Sequence, residues 1–151
     1  MKGEIHFMAI AMRLKYRDVI QDGSLKNIYV NGKKMGYKFD IMLSYYRGHF
    51  LSVIDEISLA TDGELVKTSD MSFVLKDKEF GISQLHDLVS EFWPISEKAT
   101  IKVFKEGGLA EGEHELDFKL IFHSPYMPIS DTDYMPWDSS EKKTLPVSQY
   151  Q

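Results

Sequence analysis

The sequence predicts an all-β fold: an antiparallel β-sandwich of immunoglobulin-like type, with a jelly roll as the second choice. Three observations predict it. Short stretches alternate apolar and polar residues with a period of two, the signature of half-buried strands. Asn31-Gly32 and Asp62-Gly63 fall between such stretches, and both pairs tolerate the positive φ angles of tight hairpin turns. One segment alone, Ser83–Glu91, has helical spacing, and it is too short to form a layer. About eight strands spaced in this way suit two packed sheets.

The elements follow in order. Leu25–Val30 forms an apolar run that turns at Asn31-Gly32. Tyr37, Phe39, Ile41 and Leu43 then alternate with Lys38, Asp40, Met42 and Ser44, completing a first hairpin. Val53–Ala60, the Asp62-Gly63 turn and Glu64–Lys67 make a second. Met71, Phe73 and Leu75 share one face of a short strand, and Lys78–Ile82 supplies another. Ser83 offers an N-cap for a short connecting helix that repeats apolar residues at Leu85, Leu88, Val89 and Phe92. Ala99–Lys105 and His114–His123 are expected to close the domain as a pair. The glycine-rich stretch Glu106–Gly112 joins them and carries one apolar plug, Leu109.

This divides the chain into an N-terminal extension (residues 1–17), a sandwich domain (18–129) and a C-terminal tail (130–151). The tail is rich in Asp, Ser and Pro and lacks sustained periodicity, yet it holds Tyr134, Met135, Trp137, Leu145, Val147 and Tyr150. So many large apolar groups suit a tail that packs on its own domain or on a partner. The apolar stretch Ile5–Met12 contains a histidine, follows an acid and lacks a small-residue cleavage site, which argues against a signal peptide. Met8 and Met12 are alternative starts. No run approaches the roughly 20 residues of a membrane span.

Composition narrows the function. The absence of cysteine removes disulfides, thiolate metal sites and thiol catalysis, and suits the cytoplasm, with a cysteine-free secreted protein as the alternative. A net charge of −5 with scattered basic residues gives no footprint for nucleic acid. The five histidines (His6, His49, His86, His114, His123) fall at none of the spacings that put two metal ligands on one strand face or helix turn. His114 reads as a hydrogen-bonded residue at the core edge, and His123 as a rim residue at a strand end. Glu113, Glu115 and Asp117 form a carboxylate stripe that reads as a solvated strand face. Asp131-x-Asp133 lacks the glycine and distal glutamate of a calcium loop, and Gly107-Gly108 lacks a P-loop lysine. No catalytic set and no metal or cofactor site is expected in this chain. The densest cluster of interaction-prone residues is Tyr45-Tyr46-Arg47-Gly48-His49-Phe50. Tyr and Arg are enriched at interface hot spots, and a strand-to-loop corner packed on its own sheet explains the cluster equally well.

The residues also carry a family resemblance. The run Gly36–Gly48, Leu51–Glu56, the Asp62-Gly63 turn, Trp93, Thr100–Val103, Gly107-Gly108-Leu109, Gly112-Glu113-His114 and Tyr126-Met127-Pro128 resemble the small (β) subunit of bacterial C-glycoside deglycosidases. The likeness spans about Asp18 to Ile129. It implies a carbon–carbon lyase of flavonoid C-glucoside metabolism, built from two kinds of subunit. In such an enzyme a large (α) TIM-barrel subunit holds a divalent metal, usually manganese, and cleaves the bond between a flavonoid aglycone and a 3-oxo-glucosyl group. The small subunit would be inactive alone and would assemble with the barrel, in a higher hetero-oligomer. On that reading Tyr45, Tyr46, Arg47, Gly48, His49, His123, Tyr126, Met127 and Trp137 are the candidate partner contacts. A stand-alone carbohydrate-binding sandwich is the alternative, although Trp93 reads as core and Trp137 lies in the tail. A self-sufficient jelly-roll enzyme is a further alternative, weakened by the histidine spacing.

Overall fold

The structure, a computed structural model, describes residues 12–13, 17–44, 47–128 and 134–148, and backbone alone at 12–13, 125–128 and 134. In chain order the strands are β1 (Met12–Arg13), β2 (Lys26–Val30), β3 (Lys33–Ile41), β4 (His49–Phe50), β5 (Ile54–Thr61) and β6 (Glu64–Leu65). They continue with β7 (Met71–Leu75), β8 (Lys78–Gly81), β9 (Phe92–Trp93), β10 (Ala99–Phe104), β11 (Glu113–Pro128), β12 (Tyr134–Asp138) and β13 (Glu141–Pro146). One sheet runs β1-β12-β11-β5-β6, with β13 also paired to β11; the other runs β2-β3-β10-β7-β8. Strands β4 and β9 form a small separate ribbon. The result is a mostly antiparallel β-sandwich of open sheets, with β1 and β12 paired in parallel, in keeping with the all-β fold that the periodicity predicts. Among the described residues no helix is long and apolar enough to cross a membrane.

The expected hairpins form because their turn residues accept left-handed backbone. Asn31 and Gly32 sit at φ 52° and 81°, and Asp62 and Gly63 at 53° and 85°. The core is the set of inward residues of both sheets: Tyr37, Phe39 and Ile41 of β3, Ile101 and Val103 of β10, and Leu116, Phe118, Leu120 and Phe122 of β11. Phe39 and Phe118 meet edge to face across the sandwich, with ring centroids 5.8 Å apart. Burying each such side chain contributes about 1.5–3 kcal/mol.

Three expectations need correction. Strands β10 and β11 do not pair. β10 lies between β3 and β7, whereas β11 lies in the opposite sheet against β5. The connection can cross the roughly 10 Å between sheets because Gly107, Gly108 and Gly112 all take positive φ. Leu109 is buried in it, and Asn27 pins it by exchanging two hydrogen bonds with the Leu109 backbone, at 2.8 and 2.9 Å. Second, the connector after β8 is a 3-10 helix over Ile82–Asp87 and does not start at Ser83. Gly81 opens it, its N–H donating to Gln84 Oε1 at 2.6 Å, and Leu85 is its one buried residue. Val89 lies past the helix and faces solvent, and Phe92 is in a strand. Third, the described part of the tail is regular. β12 and β13 pair in succession along one edge of the 16-residue strand β11, while β5 takes its other edge.

Candidate functional site

The end of the sandwich opposite the Asn31-Gly32 turn gathers most of the candidate residues. Strand β3 leaves its sheet through Leu43 and Ser44, both 1% exposed. The Ser44 and Ser139 hydroxyls hydrogen-bond at 2.8 Å, tying this exit to the β12–β13 connection. Tyr45 and Tyr46 lie outside the described residues. The chain resumes at an exposed Arg47 and turns through Gly48 into β4. A side chain at Gly48 would approach the Trp93 carbonyl oxygen to 2.6 Å and the Phe92 ring to 2.9 Å, so glycine is required where these backbones close up.

The β4–β9 ribbon sets His49 opposite Trp93 and Phe50 opposite Phe92. Alternation then sends the two pairs to opposite sides. His49 and Trp93 turn inward: His49 is 4% exposed with its ring 4.7 Å from Phe122, and Trp93 packs on Phe73 and donates Nε1–H to the Glu97 carbonyl. Phe50 and Phe92 turn outward and meet edge to face, 42% and 36% exposed. They give the corner an apolar face, and the exposed Arg47 precedes it in the chain.

A β-bulge completes the site. Ile121 pairs with Glu56 but Phe122 pairs with Ile54, which leaves Asp55 as the extra residue. The bulge lets Ile54 and Ile57 both face the core while Asp55 and Glu56 face out. Asp55 thereby receives His123, with Nδ1 3.0 Å from Oδ1. The pair is part-exposed, at 32% and 48%. Further along β11, Phe122 lies opposite Trp137, which is buried at 4% exposure, and His123 opposite Pro136. Tyr126 and Met127 continue the same strand, with their backbone alone described.

The structure therefore brings Arg47, Gly48, His49, His123 and Trp137 to one end of the molecule, and it sorts them. Arg47 and His123 reach solvent; His49 and Trp137 belong to the core beneath and can shape a surface without forming it. Asp55, Phe50 and Phe92 are outward-facing residues that the candidate set lacks. The Ile54-Asp55-Glu56-Ile57 spacing, which breaks a strict period of two, is the available signal for Asp55. Among the described residues, no three His, Asp or Glu side chains converge as a metal site.

Electrostatics distinguish two histidines. Burial, then the charges of Arg47 and His123, push His49 down to about 4. At pH 7 it is neutral, and its folded form resists protonation where the unfolded chain, with the ordinary value of 6.5, accepts it. Stability should accordingly fall as pH drops from about 6.5 to 4, by roughly 2–3 kcal/mol from this residue. Replacing His49 by Phe should flatten that part of the stability–pH curve in urea titrations; an unchanged slope would contradict the assignment. His114 has the opposite sign. Burial alone would lower it, but Nδ1 lies 2.6 Å from Asp62 Oδ2 and Nε2 2.7 Å from the Ala110 carbonyl, and these acceptors raise it. Its stabilisation is full below 6.5 and is lost as pH rises through its raised folded value.

Comparison with known proteins identifies the family. The family model of the C-glycoside deglycosidase beta subunit matches residues 16–126. A C-glycoside deglycosidase beta subunit of Eubacterium cellulosolvens is 31% identical over 131 residues, covering 86% of this chain and 89% of that relative. The 3'-dehydrocarminate deglycosidase beta subunit of a Microbacterium species is 24% identical, covering 84% of this chain and 91% of its own. A C-glycoside deglycosidase beta subunit of Microbacterium trichothecenolyticum is 26% identical, with 84% and 92% covered. The matched span runs from the entry to the sandwich through the corner and the whole of β10 to the far part of β11, and on it this chain belongs to the C-glycoside deglycosidase beta subunit family.

Proposed function

We propose that this chain is the accessory subunit of a heteromeric C-glycoside deglycosidase and docks a catalytic large subunit through the Tyr45–Phe50 corner. The observation that carries the reading is the match, over 84–86% of the chain, to proteins named as beta subunits of such enzymes. The large subunit is a TIM barrel holding a divalent metal, manganese by preference, and the assembly is a higher hetero-oligomer. The substrate is a flavonoid C-glucoside whose sugar is already oxidised at its 3-position; the 3'-dehydro glycoside in one relative's name supports that form. The 3-keto group acidifies the neighbouring C–H. Acid/base residues of the large subunit then remove that proton, expel the aglycone carbon and protonate it, making the reaction a carbon–carbon lyase elimination. The small chain has no turnover alone and acts in the cytoplasm.

At the corner, exposed Arg47 and the Phe50–Phe92 pair offer a charged tip and an apolar face, the combination found at hot spots. Tyr45, Tyr46, Tyr126 and Met127 are the further partner contacts of this reading, and the His123–Asp55 pair lies at the rim. Co-expression with the large subunit tests this. The pair Tyr46→Ala and Arg47→Ala should weaken co-purification about tenfold or more and lower activity in step, with the melting curve of the small chain unchanged. Full recovery of an active complex would sink the proposal.

A further inference from the structure

The Asp62-Gly63 turn and the Gly112-Glu113-His114 run meet where β11 begins, and the proposed docking corner uses neither. The His114 side chain is 12% exposed, and both of its ring nitrogens face acceptors. Nδ1 lies 2.6 Å from Asp62 Oδ2, and Nε2 lies 2.7 Å from the Ala110 carbonyl oxygen. A carbonyl can only accept, so Nε2 must carry a proton. Asp62 acts as a carboxylate: its hydrogen bonds with His114 and the Glu115 N–H hold its carboxyl below the ordinary range. Nδ1 must then carry a proton too. A neutral imidazole can serve one of these contacts, and only the imidazolium serves both.

We propose that His114 is a proton-operated latch, which as a cation ties the β10–β11 crossing to the β5–β6 turn and on losing one proton releases Ala110. The proton leaves from Nε2 to solvent, because the Asp62 carboxylate holds the one on Nδ1 more strongly than a neutral carbonyl holds the other. The Nε2 lone pair then faces the Ala110 oxygen, and two acceptors in contact must part. The segment that yields is short. Asn27 pins Leu109 on one side, and on the other the Gly112 carbonyl accepts the Val147 N–H at 3.1 Å. Between them Ala110 and Glu111 are exposed, and Gly112, at φ 116°, gives the backbone its freedom. The surrounding charges set the direction. Burial and Lys105 oppose the cation, whereas Asp62 and the Ala110 carbonyl favour it and prevail. Glu64 beyond the turn, Glu106 and Glu111 on the crossing, and Glu113 and Glu115 on the strand are all acidic, and β13 sets uncharged Leu145 opposite His114. The latch is therefore closed below the ordinary value of 6.5 and opens as pH rises through the raised folded value.

Nitrogen-15 NMR of the full chain, titrated from about pH 5 to 9, tests this. At the acid end both His114 ring nitrogens should be protonated, and Nε2 alone should lose its proton, with a midpoint above 6.5. The Glu111 amide, which shares its peptide group with the Ala110 carbonyl, should shift with the same midpoint, and the heteronuclear NOE of Ala110 and Glu111 should fall above it. Asp62→Asn keeps an Asn-Gly turn and removes the charge, so it should bring the midpoint to 6.5 or lower. His114→Gln should abolish the Glu111 step, with circular dichroism confirming an intact fold. A single protonated nitrogen at the acid end overturns the proposal, as does a midpoint at or below 6.5 in the parent. So does a midpoint that Asp62→Asn leaves unmoved. A ring that titrates while Ala110 and Glu111 stay still, or a Glu111 step that survives His114→Gln, shows that no latch operates.

Discussion

Replacing Gly36 by alanine is expected to destabilise the protein by about 3–5 kcal/mol, enough to leave little folded chain at 37 °C. Gly36 pairs with Phe104 on one side and with Ile28 on the other, so that it stands in the middle of the second sheet. A Cβ there would overlap the Val103 carbonyl oxygen and press on the Val103 carbonyl carbon and Phe104 Cα, all of them backbone. Backbone cannot swing aside as a side chain can, so the β3–β10 ladder must open. The neighbouring bulge, where Ile28 pairs with Gly36 but Tyr29 with Lys34, leaves the strand no further slack. Gly81 is the control: a Cβ there meets only the Gln84 side chain, 3.4 Å away, and Gly81→Ala should cost under about 1 kcal/mol. Urea midpoints of the two variants check both. Similar midpoints would mean that the close approach at Gly36 relaxes freely.

The contrast between these glycines bears on what the sequence can disclose. The hairpin turns are legible because Asn-Gly and Asp-Gly advertise positive φ. Gly36 is not, because its need comes from a neighbouring strand in space. The pairing expected of β10 with β11 fails for a related reason. Adjacent amphipathic strands joined by glycines read as a hairpin, and the crossing between sheets shows only in long-range contacts: the partners of β10 and β11, and the Asn27–Leu109 hydrogen bonds between residues 82 apart.

Strand β13 is hidden by its chemistry. Its inward positions include Glu141, 8% exposed, whose carboxylate accepts the Ile20 N–H at 2.6 Å, along with Leu145. Between them Lys143 bonds Asp18, Asp22 and the Ile20 carbonyl. A strand that satisfies inward positions with charged groups shows no hydrophobic alternation. The corner is legible as a cluster, from its aromatic and arginine content, but its sorting is not. Whether His49 or Phe50 faces outward depends on the β4–β9 register, which two two-residue strands do not announce.

Gly48 joins that register to the proposed docking surface, and Gly48→Ala should damage both. Its Cβ would press on the Trp93 carbonyl and the Phe92 ring, and the carbonyl belongs to the strand that holds β4 in place. The expected result is a loss of about 2–4 kcal/mol in stability. Partner binding should fall more than tenfold as the Phe50–Phe92 face is displaced. Arg47→Ala, one residue away and exposed, should weaken binding while leaving stability within about 0.5 kcal/mol. The near-ultraviolet circular dichroism of buried Trp93 distinguishes the two, shifting in the first variant and not in the second. If Gly48→Ala melts and binds like the parent, the corner adapts to the added methyl and the ribbon's tight closure is not what shapes the surface. If it destabilises the chain but binds unchanged, the large subunit docks elsewhere, because a displaced Phe50–Phe92 pair cannot present the same face.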